Sequence, residues 1–300
     1  MNWKLKSLIQ GSLSILPGGC QCNHFLQRTL GQLRGDAKAH QVFTDDVTVL
    51  LARIAPLGLS SSSRILEIGT GWLPVFPLSL ALAGFGDIRT VDIIPHLSPT
   101  AVRRTLIALQ SHLNDPCFLP FGTPDQIHAR YRRLISSDDI LAAANITYIA
   151  PCDATSTSFA SGSLDLITSN NVFEHVPHGI LIDLLRESRR LLRPGGHLLH
   201  CVNCGDHYAY ADSSITQINY LQFSENEWSR FNNSIQYQNR LRPVDFLEMS
   251  DFEGFRIESA EFTPKALYLK QLKTMTIAPE FERYSPEQLA STSLTYIASV

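Results

Sequence analysis

The sequence predicts an α/β fold: a doubly wound, seven-stranded, mostly parallel sheet behind a helical N-terminal extension. Three observations predict it. Between Arg64 and Val202, short apolar runs of strand length alternate with stretches of helical periodicity. The first run ends in a glycine turn, Glu67-Ile-Gly-Thr-Gly71. Two more β-rich segments, Phe255 to Phe262 and Ser293 to Ser299, follow late in the chain. Alternation of this kind builds a parallel sheet with helices on both faces.

Residues 1–60 read as a helical extension broken at Leu16-Pro-Gly-Gly19, and residues 61–300 as the main domain. Val47, Leu50, Leu51 and Ile54 recur at helical spacing. Arg64 to Ile68 is the first strand. Pro74 to Ala83 is apolar nearly all round, which marks a buried helix, and Pro74 suits a first turn that needs no amide donor. Ile88 to Asp92 is the second strand, Pro99 to Leu113 and Pro124 to Ala144 are helices, and Ile146 to Ala150 is the third strand. Leu164 to Ser169 is the fourth. Gly179 to Leu192 is an amphipathic helix stopped by Pro194-Gly-Gly196, and His197 to Val202 is the fifth strand. Residues 205–242, rich in Tyr, Asn, Gln and Ser, break the rhythm as a lid-like insertion, and Pro243 to Met249 resumes as a helix.

Composition narrows the function. With 44% hydrophobic and 18% charged residues the chain reads as a soluble globular protein, and a net charge of -3 gives no electrostatic case for nucleic acid. The basic clusters Arg103-Arg104, Arg130 to Arg133 and Arg189-Arg190 read as solvated helical faces. The apolar run after Met1 is interrupted by Gln10, Gly11, Ser12 and Ser14, too polar for a membrane span. A cytoplasmic location is expected. Six sparse cysteines imply no disulfide framework. Cys201-Val-Asn-Cys204 closes a strand instead of opening a helix, and Cys20 and Cys22 have no reason to lie nearby. No metal is expected.

Gly69 and Gly71 let the backbone turn sharply beside a ligand, and the next helix points its first amides there. Asp92 closes the second strand, where a carboxylate can accept hydrogen bonds from ribose hydroxyls. A dinucleotide fingerprint would need a small residue at position 74. Pro74 stands there, and Trp72 and Leu73 crowd the turn, which favours a ligand without pyrophosphate.

Ile65-Leu-Glu-Ile-Gly-Thr-Gly71 resembles motif I of the class I S-adenosyl-L-methionine (SAM) methyltransferases, whose fold is Rossmann-like. Val91-Asp-Ile93 resembles their second-strand acidic motif. Cys152-Asp-Ala154 with Gly162 to Ile167, Asn170-Asn-Val-Phe-Glu-His-Val176, and Leu191 to His197 are similar to their later motifs, in order. Leu73 replaces the third motif I glycine. The resemblance implies a SAM-dependent methyltransferase acting on O or N of a small metabolite, as monomer or homodimer. It implies SAM contacts at Glu67, Gly69, Thr70, Gly71, Asp92 and Ile93. Asp153 and Ala154 would meet the adenine, and Asn170 and Asn171 the sulfonium. Asp165 reads as a strand-start residue.

An oxygen or ammonium acceptor needs a base, and His175, His207 and Glu174 are the candidates near strand ends. Tyr208, Tyr210 and Asp212 are candidate lid residues over the sulfonium or acceptor. An Asn/Asp-Pro-Pro-Tyr/Phe signature is absent, Val172-Phe173 standing in its place, which argues against a DNA substrate. Three alternatives stay open: cyclisation of SAM's own amino acid tail, an NAD-dependent oxidoreductase, and a non-catalytic SAM-binding module.

Overall fold

A computed structural model describes residues 1–16 and 37–300. Cys20, Cys22 and the break at residues 17–19 lie outside the described residues. Among the described residues seven strands form one sheet: β1 Arg64–Ile68, β2 Asp87–Val91, β3 Ile146–Ile149, β4 Leu164–Asn170, β5 Leu192–Val202, β6 Arg256–Glu261 and β7 Leu294–Ser299. Their order is β3-β2-β1-β4-β5-β7-β6. The first five are parallel, and β7 runs antiparallel between β5 and β6. Strand order therefore reverses between β1 and β4. Open sheets of this kind bind ligands outside the carboxyl ends at that point.

The helices follow from local chemistry. Ser98 caps Pro99–Leu109 through the Ala101 amide, and Thr123 with Gln126 forms a capping box on Pro124–Ile135. Every residue of Val75–Ala83 is buried, as its all-round apolar character requires. Three expected boundaries move. Pro74 is the cap residue before that helix and not its first turn. The helix expected over 124–144 ends at Ile135, and Asp139 caps a separate turn, Ile140–Ala143, by accepting from the Ala142 amide. Pro194-Gly-Gly196 lies inside β5, at a register shift against β4, with the helix already stopped at Leu191.

The arginine clusters are not merely solvated. Arg103 donates to the carbonyls of Ile135 and Ser137, Arg130 to that of Leu82, and Arg190 pairs with Glu187.

Two apolar cores flank the sheet, and a third lies under residues 205–242. The third gathers Tyr208, Ile218, Tyr220, Leu221 and Trp228 with Trp3 from the N-terminal helix Trp3–Ile15. Tyr268, Phe281 and Leu289 complete it from the β6–β7 connection, whose helices Ala266–Leu272 and Pro286–Ala290 the sequence pattern does not announce. The fully buried Arg242 ties these parts together. Its guanidinium donates to the Cys204 carbonyl at 2.8 Å, to Tyr220 Oη at 2.7 Å and to the Leu289 carbonyl at 3.2 Å. The insertion is thus a packed subdomain. Among the described residues no helix is long and apolar enough to cross a membrane.

Candidate active site

The turn after β1 is shaped by close packing. Gly69 has φ +81° and Gly71 φ +69°. A Cβ built on Gly69 would lie 2.5 Å from Val172 Cγ2, whereas one on Gly71 meets nothing within 4 Å. Only glycine fits the first position, and the second faces open space. The Gly71 amide donates to the Asp92 carboxylate at 3.1 Å. This couples the turn to the end of β2. Burial pushes Asp92 up to about 6, against the Gly71 bond that holds it down. Next to it Ile93 is 73% exposed, an apolar face beside a carboxylate.

Glu67 departs from its expected place against the ligand. It is buried, and its Oε2 accepts from Thr70 Oγ1 and Thr90 Oγ1, both at 2.9 Å. Burial raises it to about 7. The Glu67 and Thr70 side chains brace the turn from beneath. Asp153 is half-buried, and its carboxylate accepts from the hydroxyl and amide of Thr155, which hold it below the usual carboxylate range. Asp165 accepts from the Arg64 amide and from Arg193, a strand-start role as expected.

Past β4, Asn170 and Asn171 both donate to Asp46 Oδ2, at 3.1 and 3.3 Å. Asp46 comes from Phe43–Val47, a π-helical stretch of the extension. Sequence reasoning missed this residue. The only local signal was the Asp45-Asp46 pair interrupting an apolar helical face. Burial raises the Asp46 pKa, and the Asn170 amide opposes that shift.

Beyond Asp46 and Asn171 opens a cavity of about 770 Å³. Its walls include Lys38 and Gln41 of the extension, Asn203 after β5, Tyr210 and Gln217 of the insertion, and Lys265 and Thr295 near β7. Glu174, His175 and His207 stand together in one wall. The His175 and His207 rings are 5.0 Å apart, edge to face. His175 Nδ1 donates to the Tyr237 carbonyl at 2.8 Å, while its side chain is 41% exposed. Burial lowers the pKa of His175 and brings His207 down to about 3. It lifts Glu174 to about 8.

Two expected lid residues lie elsewhere. Tyr208 is buried in the third core and donates to the Phe231 carbonyl at 2.7 Å. Asp212 accepts from the Trp3 amide at 2.8 Å and from Ser214, so it anchors the N-terminal helix. The rings of Tyr208, Phe223, Trp228 and Phe231 pack around Trp3 in that segment. Tyr210 alone of the three faces the cavity, half exposed, with Oη bonded to Asn203 and Gln217. Cys201 and Cys204 are buried free thiols, both raised to about 12 by burial. Cys201 Sγ lies 3.3 Å from Thr295 Oγ1.

The sheet order, the glycine turn and the acidic end of β2 define a Rossmann-like α/β domain. The chain belongs to the methyltransferase-domain family, whose model matches residues 39–246. Members of that family use SAM as methyl donor. This membership sets aside the NAD-dependent oxidoreductase reading. No curated protein matches the chain. Among solved structures, it is similar to a geranyl diphosphate methyltransferase in complex with SAM, at 13% identity over 88% of this chain and 89% of that one, TM-score 0.47. It is also similar to the geranyl diphosphate C-methyltransferase of Streptomyces coelicolor A3(2), at 16% identity over 84% and 77%, TM-score 0.45. The phosphoethanolamine N-methyltransferase 2 of Haemonchus contortus is 17% identical over 92% of this chain and 59% of that one, TM-score 0.44.

Proposed function

We propose that the protein transfers the methyl group of SAM to an oxygen or nitrogen of a small metabolite held in the cavity beside Asn171. The carrying observation is that cavity. Its volume of about 770 Å³ suits a small-molecule ligand, and it opens past the carboxyl ends of β4 and β5, where its lining residue Asn171 precedes Val172, the side chain packed on Gly69 of the turn. The residues present fit an adenosine. Gly71 leaves open space, Asp92 offers a carboxylate, and the exposed Ile93 offers an apolar face.

SAM, when bound, supplies a methyl group on a sulfonium that is already an activated leaving group. Asp92 accepts hydrogen bonds from ribose hydroxyls. Asp46 holds Asn170 and Asn171 at the boundary between donor and acceptor sides, which fixes their amides before any ligand arrives. Glu174, His175 and His207 face the acceptor, and the proton it releases leaves through that cluster.

The test is incubation with methyl-labelled SAM and a panel of hydroxyl and amine metabolites. Labelled product with S-adenosylhomocysteine supports the reading. Methylthioadenosine from SAM alone would instead establish cyclisation of the amino acid tail. Donor binding with neither product would leave a non-catalytic binding module.

A further inference from the structure

The Glu174–His175–His207 cluster is built more tightly than proton transfer requires. Donor atoms of all three side chains lie within 4.8 Å of one another. Glu174 is 2% exposed, yet neither carboxylate oxygen has a hydrogen bond of ordinary geometry, and only the backbone amides of Glu174 and Asn203 are turned toward it. His207 Nε2 is also buried without a partner. Such groups are costly unless something occupies the space between them. His175 shows how one imidazole is prepared. Its Nδ1 faces a carbonyl, which can only accept, so the proton sits on Nδ1. The Nε2 lone pair is then free, 4.0 Å from Glu174 Oε1. That separation is too long for a hydrogen bond and somewhat longer than the ~3.4 Å between donor atoms on a tetrahedral ion with bonds of about 2.1 Å. A small inward movement would close it.

We propose that Glu174, His175 and His207 bind one divalent transition-metal ion whose open coordination positions face the cavity. Two imidazoles and one carboxylate form a nitrogen–oxygen set suited to zinc, cobalt, manganese(II) or iron(II), whereas magnesium and calcium prefer all-oxygen sites. The Tyr237 carbonyl is the outer hydrogen bond that metal-ligating histidines use to fix their tautomer. Three protein ligands leave room for water or an acceptor oxygen. The consequence for catalysis rests on the proposed function: a hydroxyl on the ion would give up its proton more readily. Metal binding itself does not depend on methyl transfer.

The test takes the untagged full chain, stripped with EDTA, and titrates it with Co²⁺ by calorimetry and visible absorption, without SAM. One Co²⁺ per chain, with visible d–d bands displaced by Zn²⁺, is expected. His207→Ala and Glu174→Gln should each weaken binding by about tenfold or more. His128→Ala, remote from the cavity and bonded to Asn114, should not. Thermal melts show which variants are folded. Should His207→Ala unfold, the near-isosteric Glu174→Gln carries the comparison. No stoichiometric binding at millimolar Co²⁺, or wild-type affinity in the folded variants, overturns the site. Methyl transfer is scored separately, so its presence without metal binding refutes the ion alone. Its absence with metal bound refutes the reaction alone.

Discussion

Replacing Gly69 with alanine tests the donor-side turn at its tightest point. Two costs add. Residue 69 has φ +81°, a left-handed conformation that costs a residue with a Cβ about 1–2 kcal/mol. The new methyl would also lie 2.5 Å from Val172 Cγ2, and overpacking of that kind costs about 1–3 kcal/mol. Gly69→Ala should therefore destabilise the fold by about 2–5 kcal/mol in urea unfolding. The same shift should weaken SAM binding measured by calorimetry, since the Gly71 amide moves with the turn. Val172→Ala separates the two costs. Alone it removes two methyl groups and should cost about 1.5 kcal/mol. In the Gly69→Ala background it removes the clash, so its cost should vanish or reverse, a coupling of about 1–3 kcal/mol. The φ cost should remain. A Gly69→Ala protein within about 0.5 kcal/mol of wild type would refute the reasoning, and so would two substitutions whose costs simply add.

Three further outcomes are expected. Asp92→Asn should lower SAM affinity by about tenfold or more through loss of charge-assisted acceptors; with Asp92 at about 6 in the free protein, SAM affinity should also fall as pH drops through about 6 and stay level above it, and a flat profile from about pH 5 to 8 would count against Asp92 as ribose acceptor. The sign for stability is opposite: the folded state holds this proton more tightly than an ordinary aspartate does, so the group's contribution to stability falls as pH rises from about 4 to about 6, and Asp92→Asn should flatten that part of the urea-unfolding profile. Trp3→Ala should cost about 3–5 kcal/mol, because its indole is buried against Tyr208, Phe223, Trp228 and Phe231; unfolding unchanged to within about 1 kcal/mol would show that the N-terminal helix is not part of the cooperative core. Asp46→Ala should release both asparagines and reduce kcat/KM for S-adenosylhomocysteine formation by about 10–100-fold while leaving the melting curve little changed; full activity would remove Asp46 from the site.

The sheet was legible because its signals are local. Apolar runs such as Arg64–Ile68 and Leu164–Asn170 carry strand character within a few residues, and Gly69 marks a turn by its own backbone. The two late strands were legible for the same reason. The insertion was not. Tyr208 and Tyr210 stand two residues apart in a polar-aromatic stretch, and nothing local tells that one enters the third core while the other faces the cavity. That choice depends on Trp3, which lies far away along the chain, and on Trp228 in the later half of the insertion.

By itself the sequence determined the strand–helix order, the glycine turn and the carboxylate at the end of β2, since each is a matter of short-range periodicity and backbone freedom. Tertiary structure alone decided what meets across the cavity. It set Asp46 of the extension against Asn170 and Asn171, and it turned Glu174, His175 and His207 toward a common point. It also withdrew Glu67 and Tyr208 into buried hydrogen bonds. The physical reason is that side-chain partners separated by long stretches of chain are chosen by how the layers pack, and periodicity carries no record of that packing.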